Sequence, residues 1–196
     1  MRHLLTAVGS ALLVTGCGGA VASAPAAPAP ADPAQAAARG DVRPSVATAG
    51  CTSPEGFRVE HPADWAVNPG DTLPACSWFA DEDFVVPPAS DVRTAAVALT
   101  VRRDVDAGSA WPDETARREI EVGSRPAVRL EQVTGLGLYP TGTRITTYVV
   151  DLGPGYADGA VLVADAVELP GSDHDRNVRV LDAMMETLAF DGVPRA

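Results

Sequence analysis

No lysine occurs in the chain: all 15 basic residues are arginine, set against 26 acids. The exclusive use of arginine reads as the codon bias of a GC-rich genome, not as a device for gripping phosphate. Positive charge is scarce and the formal net charge is −11. Nucleic-acid binding needs a basic face toward the phosphates, so that class is disfavoured. Long apolar runs are missing too. The first, Leu4 to Val14, is about half of the roughly 20 residues that a spanning helix needs, and no later segment is longer. No CxxC or HExxH pattern marks a metal site. GxSxG, SxxK and a paired-carboxylate context are also missing, so no catalytic residue, metal or cofactor is expected, and the chain does not read as an enzyme. No repeat with a period of about 20–50 residues suggests a solenoid.

What is present starts at the N-terminus. Met1–His3 carries Arg2, the apolar run follows, and Thr15 and Gly16 are small. That is the layout of a secretory signal peptide. Val14-Thr15-Gly16-Cys17 resembles the lipobox of bacterial lipoproteins. The resemblance implies that the Cys17 thiol receives a diacylglyceryl group and that cleavage falls after Gly16. Cys17 would then open a mature chain held at the outer face of the cell membrane by acyl chains, palmitate among them. Two or three chains hold stably where one, at about 0.8 kcal/mol per buried methylene, holds marginally. An ordinary signal peptide, cleaved after Ala22 or Ala24, is the alternative and would discard Cys17.

Residues 18–50 are rich in alanine and proline, with Pro25, Pro28, Pro30 and Pro33 denying helix hydrogen bonds. They read as a stalk that reaches roughly 100 Å if polyproline-like and about 30 Å as a coil. The expected organisation is therefore signal peptide 1–16, lipidated cysteine and linker 17–50, and one domain 51–196. Loss of residues 1–16 removes Arg2 and leaves 14 arginines against 26 acids, a net charge of −12. An anionic membrane surface repels such a domain, which fits an anchor followed by a spacer.

With Cys17 assigned to lipid, Cys51 and Cys76 remain. Export into an oxidising setting favours a disulfide between them; a reactive thiol pair is the alternative. From Cys51 onward the apolar residues become periodic. Phe57, Val59 and His61 alternate with Arg58 and Glu60, a strand ended by Pro62. A shorter strand is expected in CSWFA, and another in RTAAVALTVRRD with Val97, Leu99 and Val101 on one face. WPDETARREI reads as a short helix, with Pro112 in its first turn and Asp113 and Glu114 near its positive end. A hairpin is expected around Gly123-Ser124, its second arm placing Val128 and Leu130 opposite Arg129 and Glu131. RITTYVVDL and GAVLVADAVEL are two further strands joined by GPGYADG. A helix from about Asp173 to Ala189 buries Val178, Leu181, Met185 and Leu188, with Ser172 or Asp173 as its cap and Gly192 beyond its end. The predicted class is α+β, an antiparallel sheet of about six strands with helices packed on it.

FRVEHPADW, CSWF, VGSRPAVRLE and VLDAMMETLAF together resemble exported actinobacterial lipoproteins of the LpqN type, a group similar in fold to PsbP proteins. The likeness covers about residues 51–192 and implies an antiparallel sheet sandwiched between helices. It brings no catalytic residue set with it, because fold does not dictate function.

Several residues invite a sharper reading. His61 is expected to hydrogen-bond the turn leading to Trp65, and no nucleophile motif makes it a base. His174, flanked by Asp173 and Asp175, suggests metal ligands, but capping and pairing with the helix dipole explain the acids more simply. Asp81-Glu82-Asp83 lacks the alternating ligands of a calcium loop and reads as solvated. Trp65 and Trp78 are expected in the core, and Trp111 stays open between core and surface. The loop GLGLYPTGT carries Leu136, Leu138 and Tyr139 among glycines, a contact surface if these side chains do not pack across the sheet's end. The function expected from all this is a lipid-anchored, non-enzymatic binding or adaptor module of the cell envelope, engaging an envelope protein or a small ligand. A carrier for lipid comes second and an envelope hydrolase third.

Overall fold

Ten strands and one helix form among the residues that the computed structural model describes, 47–88, 92–135, 137–153, 156 and 159–191. Cys17, residues 18–46, Leu136 and Gly192 lie outside the described residues. The elements run β1 (Thr48–Thr52), β2 (Phe57–Pro62), β3 (Ala66–Val67), β4 (Trp78–Ala80), β5 (Val97–Arg102), β6 (Glu114–Val122), β7 (Arg125–Val133), β8 (Arg144–Asp151), β9 (Val161–Val167), α1 (His174–Thr187) and β10 (Ala189–Phe190). A seven-stranded antiparallel sheet has the order β3-β4-β5-β9-β8-β7-β6, and a three-stranded one the order β1-β2-β10. The class is α+β.

Each face of the large sheet has its own cover. On one face, Leu99, Tyr148, Val150, Leu162 and Ala164 join Phe57 and Val59 of β2 and Leu181, Met184 and Met185 of α1 in the main core. On the other, Val128, Leu130, Val149, Val161 and Val163 are buried beneath Val105, Ala107 and Trp111. Trp111 thus packs in the segment between β5 and β6. Among the described residues one helix is present and it covers one face, with that segment on the other.

Ten strands replace the expected six or so, for identifiable reasons. β1 begins at Thr48, ahead of Cys51, in a stretch whose small residues look like linker; pairing with β2 recruits it. β3 and β10 are two-residue strands, too short to leave a pattern. The helix expected over WPDETARREI is overturned, since Glu114–Val122 is the edge strand β6. Its Arg and Glu residues are those of an exposed edge, where charge blocks pairing with other chains. The helix start fails at Asp113, whose φ is +56°, and pairing with β7 wins over local propensity. Arg117 turns the strand into a clamp. It pairs with Glu114 at 2.9 Å and donates to the carbonyls of Ala107 (2.8 Å) and Ser109 (2.6 Å), tying the covering segment down.

The hairpin at Gly123-Ser124 forms, with φ of +55° and +62°, the two-residue turn whose twist suits antiparallel strands. Glycine is required there, because a Cβ would lie 2.9 Å from the Leu188 carbonyl. The Arg125 guanidinium just beyond it lies 4.6 Å from the Phe190 ring and 5.7 Å from that of Tyr156, whose hydroxyl donates to the Gly56 carbonyl at 2.6 Å. That stack joins the two sheets. So does the disulfide between Cys51 of β1 and Cys76 before β4, with Cα atoms 5.9 Å apart.

Candidate functional site

β2 outruns its neighbour β10, which pairs only with Phe57 and Arg58. Beyond those two residues the side of β2 faces α1 instead of a strand, and the space between them is a groove of about 530 Å³. One end is closed where the Glu60 amide donates to Thr187 Oγ1 at 3.0 Å. Trp65, Val180, Ala183 and Met184 form the apolar part of the lining, and Glu60, Asp64, Glu186, Arg176 and Arg179 supply charge.

Turn geometry fixes the β2 side. The Trp65 amide donates to the Pro62 carbonyl at 3.0 Å, and the same oxygen lies 2.9 Å from His61 Nδ1. The imidazole is buried and packs 5.4 Å from Phe79. His61 therefore holds the turn that carries Trp65, as its position before Pro62 suggests. Trp65 is buried, and its indole N–H has no hydrogen-bond partner among the described residues. The Arg176 guanidinium stands 6.0 Å from its ring and pairs with Asp81 at 2.6 Å, so Asp81 braces the groove. Arg179, one helical turn on, is exposed and forms no ion pair among the described residues.

The helix wall is set from behind. Tyr148 of β8 donates to Asp182 at 2.5 Å, and Arg129 Nε donates to Tyr148 at 3.1 Å. Burial and the Asp182 carboxylate push the Tyr148 phenol up to about 12, so it remains a neutral donor at physiological pH. At the other end, Asp173 caps α1 by accepting from the Arg176 amide at 3.0 Å. These contacts face the sheet and leave Arg179, Val180 and Ala183 turned to the groove.

A second cavity of about 270 Å³ lies at the helix start, lined by Glu131, Arg144, Thr146, His174 and Asp175. Its charges are mutually satisfied. Arg144 pairs with Glu168 (3.2 Å) and Asp175 (2.9 Å), and Thr146 donates to Glu131 at 2.8 Å. No group of three metal-type side chains occurs among the described residues. His174 is buried, and its Nδ1 has no hydrogen-bond partner among the described residues. Burial, then Arg144, holds its imidazole below the ordinary value, against the pull of Glu168, Asp175 and Glu131. The native state thus resists protonating His174 while the unfolded chain does not. Its contribution is intact above the unfolded value of about 6.5 and is lost as pH falls below it. The Glu55 carboxyl, raised by burial, acts in the opposite sense at lower pH. Urea midpoints of the wild type are therefore expected to drop between about pH 6.5 and 5 relative to those of His174→Gln, which removes the titration; parallel profiles would refute this.

The remaining positions fall elsewhere. Trp78 is half-buried against Phe84, with ring centres 6.3 Å apart, while Glu82 and Asp83 are exposed. Leu138 is 83% exposed and Tyr139 half-buried. Sequence reasoning singled out His61 and Trp65 but missed Val180, Ala183 and Met184. Their signal is a second stripe along α1, at 176, 179–180, 183 and 187, beside the buried one. No protein-family model matches the chain, and no curated protein matches it.

Proposed function

We propose that this chain is a binding module of the cell envelope, tethered to the outer face of the membrane through a lipidated Cys17 and a proline-rich stalk. In this reading the groove between β2 and α1 takes a small ligand or a side chain of an envelope protein. The observation that carries it is the groove itself, about 530 Å³ with an apolar interior and a charged rim, the usual make-up of a ligand site. The disulfide fits maturation in an oxidising compartment. The resemblance to LpqN-type lipoproteins and a PsbP-like sandwich belongs to the same proposal. The apolar strip of Val180, Ala183 and Met184 also favours a second reading, a carrier of lipid.

The test is to titrate the full chain with the apolar fluorescent anion 8-anilinonaphthalene-1-sulfonate. Ala183 is exposed on the groove wall, so Ala183→Glu adds a carboxylate there without entering the core. Saturable binding that weakens at least tenfold in this variant, with melting unchanged, is the expected result. Equal binding by both proteins would remove the groove from the account.

A further inference from the structure

The loop between β7 and β8 is unusually well braced for one with a leucine at its surface. Thr134 Oγ1 and Thr143 Oγ1 both donate to the Pro140 carbonyl, at 2.6 and 2.8 Å. The Gly142 amide donates to the Thr134 carbonyl (2.7 Å), and Thr141 Oγ1 to that of Gly135 (2.8 Å). From the neighbouring segment, Asp113 accepts from the Gly135 amide at 2.9 Å. On this frame Leu138 is 83% exposed, and Val133 at its base is 45% exposed. Beside it, Tyr139 and Pro140 face Leu169 and Pro170 across a notch of about 360 Å³. A loop whose two arms are bonded to each other before any partner arrives, with a notch beside it, lowers the ordering cost of association. Isolated exposed leucines need no explanation; one on a scaffold of five hydrogen bonds next to a notch does.

Charge narrows the occupant. Asp113 and Glu168 flank the loop, Asp175 stands beyond Arg144 at its end, and Arg144 is the only arginine among the described residues that line either cavity there. Arg144 pairs with both Glu168 and Asp175, so these three groups together keep one negative charge, and Asp113 adds a second. An anionic bilayer is repelled by this surface, and so is a second copy of a chain with net charge −11. We propose that the Leu138 loop is a docking surface for a basic protein segment, which fills the notch with an aliphatic side chain and meets the acids with lysine or arginine. This surface is distinct from the groove, and the proposal stands or falls apart from it.

A random peptide library displayed on phage, selected against the full chain, reads the preference directly. The expected result is enrichment of peptides joining basic to aliphatic residues. Synthesised singly, they should bind at least tenfold more weakly to Leu138→Asp and more weakly as salt rises. That variant should keep the wild-type melting temperature and the same binding of anilinonaphthalene sulfonate in the groove. Tyr139→Ala, which opens the notch, should weaken the same peptides. No enriched peptides, enriched peptides indifferent to Leu138→Asp, Leu138-dependent binding to phosphatidylglycerol vesicles, or Leu138-dependent self-association would each overturn the proposal.

Discussion

Replacing both Cys51 and Cys76 with alanine is expected to destabilise the domain by about 3.5 kcal/mol, the chain-entropy value for a loop of this size. The two cysteines are 25 residues apart. The effect is not only one of the unfolded chain. β1 is an edge strand held by β2 on one side alone, and the disulfide is its covalent link to the large sheet. Thr48 at the start of β1 also lines the groove. A fall in melting temperature of roughly 10 °C follows, at about 3 °C per kcal/mol for a domain of this size. Adding a reductant to the wild type should reproduce it. Thermal melts with and without reductant check this, alongside the mass of the unreduced protein, which should be two hydrogens lighter than the reduced. An unchanged melt, or free thiols in the native protein, would contradict it.

Leu181→Ala is expected to cost about 2–5 kcal/mol, because a large side chain leaves a cavity its neighbours only partly fill. Leu181 is fully buried and packs where α1 meets β2 and the large sheet. The adjacent Val180 is half-buried and lines the groove. Val180→Ala should therefore cost about 1 kcal/mol or less while weakening probe binding. The pair separates the two faces of α1: one variant moves the urea midpoint, the other the affinity. A Leu181→Ala midpoint near the wild-type value would show that the helix is not seated as described.

Much of this architecture is written locally. The alternation in FRVEH, the Gly123-Ser124 turn and the three-and-four spacing along VRVLDAMMETL each specify an element from its own residues, and each forms. What fails is whatever depends on a partner. β6 carries helix-start residues and an exposed, charged face, so only the ladder to β7 makes it a strand. β1 hides in small residues because β2 supplies its register. The groove was the least legible part. Its two walls lie more than a hundred residues apart in sequence, and the gap arises because β10 stops short of the end of β2, a tertiary fact with no local signature. His61 and Trp65 were visible as candidates, yet their role depends on which face of α1 turns toward them. The acids beside His174 were legible as a cap and a dipole partner: Asp173 caps α1, while the Asp175 pair with Arg144 and the burial of the His174 ring depend on distant partners.

The tether is the claim on which location and function both depend. Intact-mass and N-terminal peptide analysis of the protein extracted from its own membranes tests it most directly. The account predicts a mature chain that begins at Cys17 and carries the added mass of a diacylglyceryl group on that residue. A chain that begins downstream of Cys17, or one that keeps the cysteine without acyl mass, would contradict it.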